Sequence, residues 1–135
     1  MATQTDIRRT KTICIVDDEA VIVEMYAFKL EQAGYRVITA RDGVEGFELI
    51  ARERPDLVTT DLIMPRMDGM SLIRKLKEDT ELNSIPLIVL TNLSNPKDEE
   101  EAAKLGVLFF VVKPLCLPSK LLEIADEVLI GRVDG

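Results

Sequence analysis

Polar residues stand where the hydrophobic runs of this chain stop. KTICIV, Lys11 to Val16, runs into Asp17, Asp18 and Glu19. PDLVTT, ending at Thr60, runs into Asp61. PLIVLT closes on Thr91, and VLFFVV is followed by Lys113. Short apolar runs bounded by turn residues predict buried strands, so each of these groups sits at a strand's C-terminal end. If the strands are parallel, three carboxylates, a hydroxyl and an ammonium meet in one shallow pocket. Crowded carboxylates need a cation, and an all-oxygen donor set suits Mg²⁺. A metal and a lysine around one carboxylate suit a phosphoryl group carried on it. Cations neutralise charge on the equatorial oxygens, and a hydroxyl donates to one of them.

The chain contains no histidine among its 135 residues. That removes Ser-His-Asp and Cys-His nucleophile systems, His-ligated zinc and a phosphohistidine carrier. A net charge of −7 argues against direct binding to nucleic acid or to an anionic membrane. No apolar run approaches the ~20 residues of a membrane span, and MATQTDIRRTK does not resemble a signal peptide. The expected compartment is the cytoplasm. Cys14 reads as a small core residue and Cys116 as a partly exposed loop thiol, unpaired in a reducing compartment.

The elements that must hold the pocket follow from periodicity and breakers. Residues 1–10 read as a loosely attached lead-in, residues 11–130 as one domain and residues 131–135 as a polar tail. A helix from Glu19 to Ala33 follows the first strand, with Ile22, Met25, Tyr26, Leu30 and Ala33 on its buried face. Ala20, Val23 and Ala27 are left as an exposed apolar strip. Gly34 ends this helix. Further strands are expected at Tyr35–Thr39, Asp56–Thr60, Pro86–Thr91 and Val107–Val112. Helices are expected at Val44–Arg52, Met70–Lys77, from Asn95-Pro96 to Gly106, and Ser119–Ile130. Phe47 and Ile50 are expected in the core. Five strand–helix alternations with short connections give a parallel α/β sheet covered by helices on both faces.

IVDDE, DLIMPRMDG, PLIVLTN and FFVVKP together resemble the receiver domain of two-component response regulators. Thr91 lies 30 residues beyond Asp61 and Lys113 lies 52 beyond it, and the likeness covers about Lys11 to Ile130. The resemblance implies a flavodoxin-like sheet of order 2-1-3-4-5. It implies that Asp61 is the phosphoacceptor, supplied by a phosphohistidine on a sensor histidine kinase or by a phosphotransfer protein. It further implies that Asp18, Asp61 and the backbone carbonyl of Ile63 hold Mg²⁺ directly, with Asp17 acting through a water. Thr91 and Phe110 would be the switch pair, and Lys113 would pair with a phosphoryl oxygen. The family pattern also implies a cis bond at Lys113-Pro114. Output would pass through protein contacts, to a downstream target or an output domain of the same chain, with a phosphorylation-dependent homodimer as one route. Such a domain is a signalling switch rather than an enzyme, beyond its own Mg²⁺-dependent phosphorylation and dephosphorylation.

Two features depart from the common pattern: Phe110 lacks a tyrosine hydroxyl, and Asn92 is larger than the Ala or Gly usual after the switch residue. Other readings of the carboxylates stay open on sequence alone. A haloacid-dehalogenase-type phosphohydrolase would carry its nucleophile on the first strand, at Asp17. A flavin carrier would need a phosphate cradle in the first loop, which Asp17 and Asp18 would repel. A structural pseudo-receiver would lack one of the site residues. No effector motif follows Ile130, which fits either a stand-alone receiver or one cut from a longer chain.

Overall fold

The computed structural model describes residues 1–93 and 95–131; the expected tail falls almost wholly outside them. Five parallel strands form one sheet: β1 (Thr12–Val16), β2 (Arg36–Ala40), β3 (Leu57–Thr60), β4 (Leu87–Thr91) and β5 (Phe109–Val112). Their order is β2-β1-β3-β4-β5, the order expected. Six α-helices accompany them: α1 (Gln4–Arg8), α2 (Ala20–Ala33), α3 (Gly43–Glu53), α4 (Gly69–Glu78), α5 (Pro96–Lys104) and α6 (Pro118–Leu129).

Period-two alternation in the strands separates two cores. Cys14 and Val16 of β1 face one way, with Val58 and Val89, and pack with Ile50, Leu72, Ile73 and Leu76 of α3 and α4. Ile13 and Ile15 face the other way, with Leu57, Ile88 and Leu90, and pack with Tyr26, Leu30, Leu121 and Ile124 of α2 and α6. Both faces of the central strands are therefore covered, which is why their sequences are continuously apolar.

Local signals set the helix ends. Asp42, Asp68 and Asn95 each accept a backbone N–H as N-caps. Gly34 ends α2 in the left-handed region at φ 118°.

Four expectations change. Residues 4–8 form a capped helix instead of a loose lead-in. Thr3 and Asp6 exchange side-chain and backbone bonds at its start. Arg8 then donates two hydrogen bonds to Asp126 on α6, at 2.9 and 2.6 Å. The apolar residues of α2 are also distributed differently. Ala27 is buried, whereas Met25 is exposed beside Val21 and Phe28. Cys116 is buried, and its carbonyl accepts from the Tyr26 hydroxyl at 2.6 Å. Among the described residues there is no cis peptide bond, so Lys113-Pro114 is trans.

Candidate functional site

Val16 of β1 pairs with Thr60 of β3 in the sheet register. Asp17 and Asp61 are the next residues of each strand, so they emerge side by side. The ladder continues under them: Asp17 N–H donates to Ala40 and Asp61 N–H to Val16, each at 3.0 Å. These two strands flank the point where strand order reverses, the place where such sheets bind ligands. Thr91 ends β4 and pairs with Val112, the last residue of β5. Lys113 follows immediately. It starts about two strand spacings from β3, roughly 10 Å, and its long side chain spans the difference.

The Lys113 ammonium lies 2.7 Å from Asp17 Oδ2, 2.9 Å from Asp61 Oδ2 and 3.1 Å from Glu19 Oε1. Lys113, Asp17, Asp61 and Thr91 are all buried. The second oxygen of Asp61 accepts from the N–H groups of Leu62 at 2.7 Å and Ile63 at 3.3 Å. The second oxygen of Asp17 accepts from Glu19 N–H at 2.9 Å. Carboxylate oxygens of Asp17, Glu19 and Asp61 all lie within 4.8 Å of one another. Three carboxylates face one ammonium, leaving a local deficit of two positive charges.

Burial and pairing act on these groups in different directions. Burial pushes the Asp17 carboxyl above its ordinary range, and the hydrogen bonds from Lys113 and Glu19 only partly offset it. The hydrogen bonds from Lys113 and then Asn92 hold Glu19 below its ordinary range. Burial alone would lower the Lys113 ammonium, but hydrogen bonds to Asp17, Asp61 and Glu19 outweigh it, and the net shift is upward. Lysine is thus charged across the physiological range.

Glycine shapes the loop beyond Asp61. A Cβ on Gly69 would fall 1.8 Å from the Asp61 carbonyl oxygen, so α4 can begin this close to Asp61 only with glycine there. Arg66 and Asp42 brace the same loop, at 2.8 and 3.2 Å. That bond and the backbone N–H of Glu45 hold the Asp42 carboxyl below its ordinary range.

Of the residues singled out by sequence, Asp17, Asp61 and Lys113 converge. Thr91 is buried at the next strand end, and Phe110 on β5 pairs with Val89 of β4 and packs against the core cluster that includes Ala102 of α5. Asp18 is exposed and stands outside the carboxylate cluster, while Glu19 belongs to it. The reason is the extended backbone through this turn, Glu19 having φ −88° and ψ 92°. Residues i and i+2 then share a side, and Asp18 points away. Glu19 is also the N-cap of α2 but makes no side-chain cap bond there. The DDE run itself was the signal for it, two residues beyond Asp17. Ile63 and Leu93 are each 67% exposed.

Together, a five-stranded parallel sheet of this order and an acidic cluster with a lysine at its switch point place the chain in the flavodoxin-like class of α/β proteins. Within that class, residues 13–126 match the family model described as the response regulator receiver domain. The polar-differentiation response regulator DivK of Brucella anthropi is 32% identical over 108 residues, covering 80% of this chain and 88% of that protein. The probable transcriptional regulator ycf27 of Guillardia theta is 37% identical over 129 residues, covering 96% of this chain but 49% of the relative. The chain thus spans about half the length of that relative. The solved structure of Vibrio cholerae chemotaxis protein CheY4 superposes with a TM-score of 0.81 at 30% identity, covering 88% of this chain and 98% of that one. The chain belongs to the response regulator receiver domain family. It is a phosphorylation-activated signalling domain, of a family that works with histidine kinases and downstream targets. No described helix is long and apolar enough to cross a membrane.

Proposed function

We propose that Asp61 is the phosphoacceptor of this receiver, and that a phosphohistidine on a sensor kinase or phosphotransfer protein is its donor. The carrying observation is that the Lys113 ammonium lies between Asp61 and Asp17 in a buried site with two uncompensated negative charges. An Asp61 carboxylate oxygen attacks phosphorus. The new O–P bond forms as the donor's P–N bond breaks, and the electron pair leaves with the imidazole. With acetyl phosphate, a P–O bond breaks and acetate leaves.

Magnesium fits the donor set. Octahedral Mg²⁺ at ~2.1 Å to oxygen brings its ligands within about 4.2 Å of one another, close to the spacing of the cluster. The family pattern would have Asp18, Asp61 and the Ile63 carbonyl hold it, with Asp17 through a water; in this structure the clustered oxygens are those of Asp17, Glu19 and Asp61, and Asp18 would have to turn inward to bind. The ion would supply charge neutralisation at the phosphoryl oxygens and support the domain's own phosphorylation and dephosphorylation. Lys113 supplies the resident part of that neutralisation. Thr91 and Phe110 form the switch: the hydroxyl moves toward the phosphoryl group and the phenyl ring follows inward, a shift between two packings.

The kinase meets α2 and the loops beside the site. The output surface is α5, β5 and α6, with homodimerisation through that face as one output. The cytoplasm is the compartment in which such a donor is met. The test is labelling with acetyl phosphate and Mg²⁺. Wild type should take up one phosphoryl group per chain, and Asp61→Asn none while keeping its fold. Full labelling of Asp61→Asn would overturn the assignment, and label on Asp17 would favour a phosphohydrolase.

A further inference from the structure

A chain of hydrogen bonds links the acceptor to the β4–α5 loop. Lys113 Nζ donates to Asp61 Oδ2 at 2.9 Å and to Glu19 Oε1 at 3.1 Å. The same Glu19 oxygen accepts from Asn92 Nδ2 at 2.8 Å. Asn92 directly follows Thr91, the last residue of β4. Glu19 lies on the opposite side of the site, between β1 and α2. One carboxylate therefore ties together the two loops that flank Asp61.

Glu19 serves no local purpose that would explain its orientation. It is the N-cap of α2 yet leaves capping undone. The N–H that Asp17 accepts is Glu19's own, so the backbone here is fixed and the side chain is free to turn elsewhere. It turns onto Lys113 and Asn92. We propose that Glu19 and Asn92 form a latch that holds the β4–α5 loop in its present position, and that phosphorylation of Asp61 releases it. The proposal rests on Asp61 being the acceptor and concerns how that site is regulated.

The release follows from charge. Lys113 divides its three donors between Asp17, Glu19 and Asp61. A phosphoryl group on Asp61 brings about two negative charges and three strong acceptors to the ammonium. Lys113 then turns from Glu19 to phosphate, and Glu19 is left repelled by the phosphoryl charge. The arm holding Asn92 swings outward with it. Loop and Thr91 become free to move toward the phosphoryl group. Glu19 and Asn92 are thus positioning residues: neither touches the reacting atoms, and both set the threshold at which the switch moves.

The experiment compares wild type, Asn92→Ala, Glu19→Ala and the double variant, all unphosphorylated, by amide hydrogen exchange at Asn92 and Leu93. Acetyl phosphate labelling with Mg²⁺ is measured alongside. Losing one solvent-exposed hydrogen bond should raise exchange at these amides between about twofold and tenfold. Both single variants should show it, and the double variant should exceed neither, because each removes the same tie. Exchange in β1 and β3 should stay unchanged. Unchanged exchange in Asn92→Ala, or additive increases in the double variant, would overturn the latch. Failure of wild type to label would instead overturn the acceptor assignment, because the exchange readout uses no phosphate.

Discussion

Lys113 Nζ and Asp61 Oδ2 approach to 2.9 Å with both side chains almost wholly buried. Removing the ammonium leaves Asp17 and Asp61 facing each other without a cation. Breaking a buried ion pair from one side costs about 3 kcal/mol or more. Lys113→Met should therefore lose about 3 kcal/mol of stability in metal-free buffer. A divalent ion bound to the folded state stabilises it by mass action, so added Mg²⁺ should restore more stability to the variant than to wild type. Urea unfolding with and without Mg²⁺ measures both. A loss under ~1 kcal/mol, with no Mg²⁺ dependence, would sink this account of the site.

The structure corrects which apolar residues of α2 are exposed and so available to the proposed kinase contact. Ala27 is buried at 8% exposure, whereas Val21, Met25 and Phe28 are 78%, 42% and 64% exposed. These three fall at i, i+4 and i+7 and line one stripe of α2. An exposed aromatic with apolar neighbours is the kind of residue that dominates an interface. Phe28→Glu should slow phosphotransfer from the cognate kinase by about tenfold and leave labelling by acetyl phosphate unchanged. Parallel loss with both donors would show that the substitution acts on the fold or the site.

Sequence reasoning located the stripe wrongly because helical spacing alone does not say where α6 lies across α2. The strand ends were legible because apolar runs and polar stops are local signals. Lys113 was legible for the same reason, as the first residue after VLFFVV. Glu19 was legible only as part of the DDE run; that it, and not Asp18, joins the cluster depends on a turn that directs residues 17 and 19 to one side. Arg8 was missed because its partner, Asp126, is 118 positions away. Nothing local distinguishes QTDIR from a solvated lead-in.

That pairing carries its own prediction. Arg8 donates twice to Asp126, whose Oδ1 also accepts from Tyr35 at 2.7 Å. Thr5 packs on the cap of α2, where a Cβ on Gly34 would lie 3.3 Å from the Thr5 carbonyl oxygen. The first helix thus pins α6 to the end of α2. Arg8→Ala should cost about 2 kcal/mol, a fall in Tm of roughly 4 to 8 °C for a domain of this size. Calorimetry checks the value. A change under ~1 °C would mean that α1 is attached without contributing.

The last prediction concerns how long the phosphoryl group stays. It is lost when water attacks phosphorus in line, opposite the Asp61 oxygen, and a polar group that orients the water speeds the attack. The side chains two residues beyond Asp61 and two beyond Thr91 are Ile63 and Leu93, and neither can hydrogen-bond a water. Both are 67% exposed, so in this arrangement they do not seal the site; what they withhold is orientation. We therefore expect slow self-dephosphorylation, suited to a sustained response or to onward transfer. Ile63→Asn and Leu93→Glu each supply an orienting group and should speed decay by about threefold to tenfold, below the ~10² of a well-placed acid–base group. Decay of labelled protein with Mg²⁺, native against denatured, gives the comparison. Rapid loss from native wild type, unaffected by either substitution, would mean that water is oriented by other groups and that these two positions do not set the lifetime.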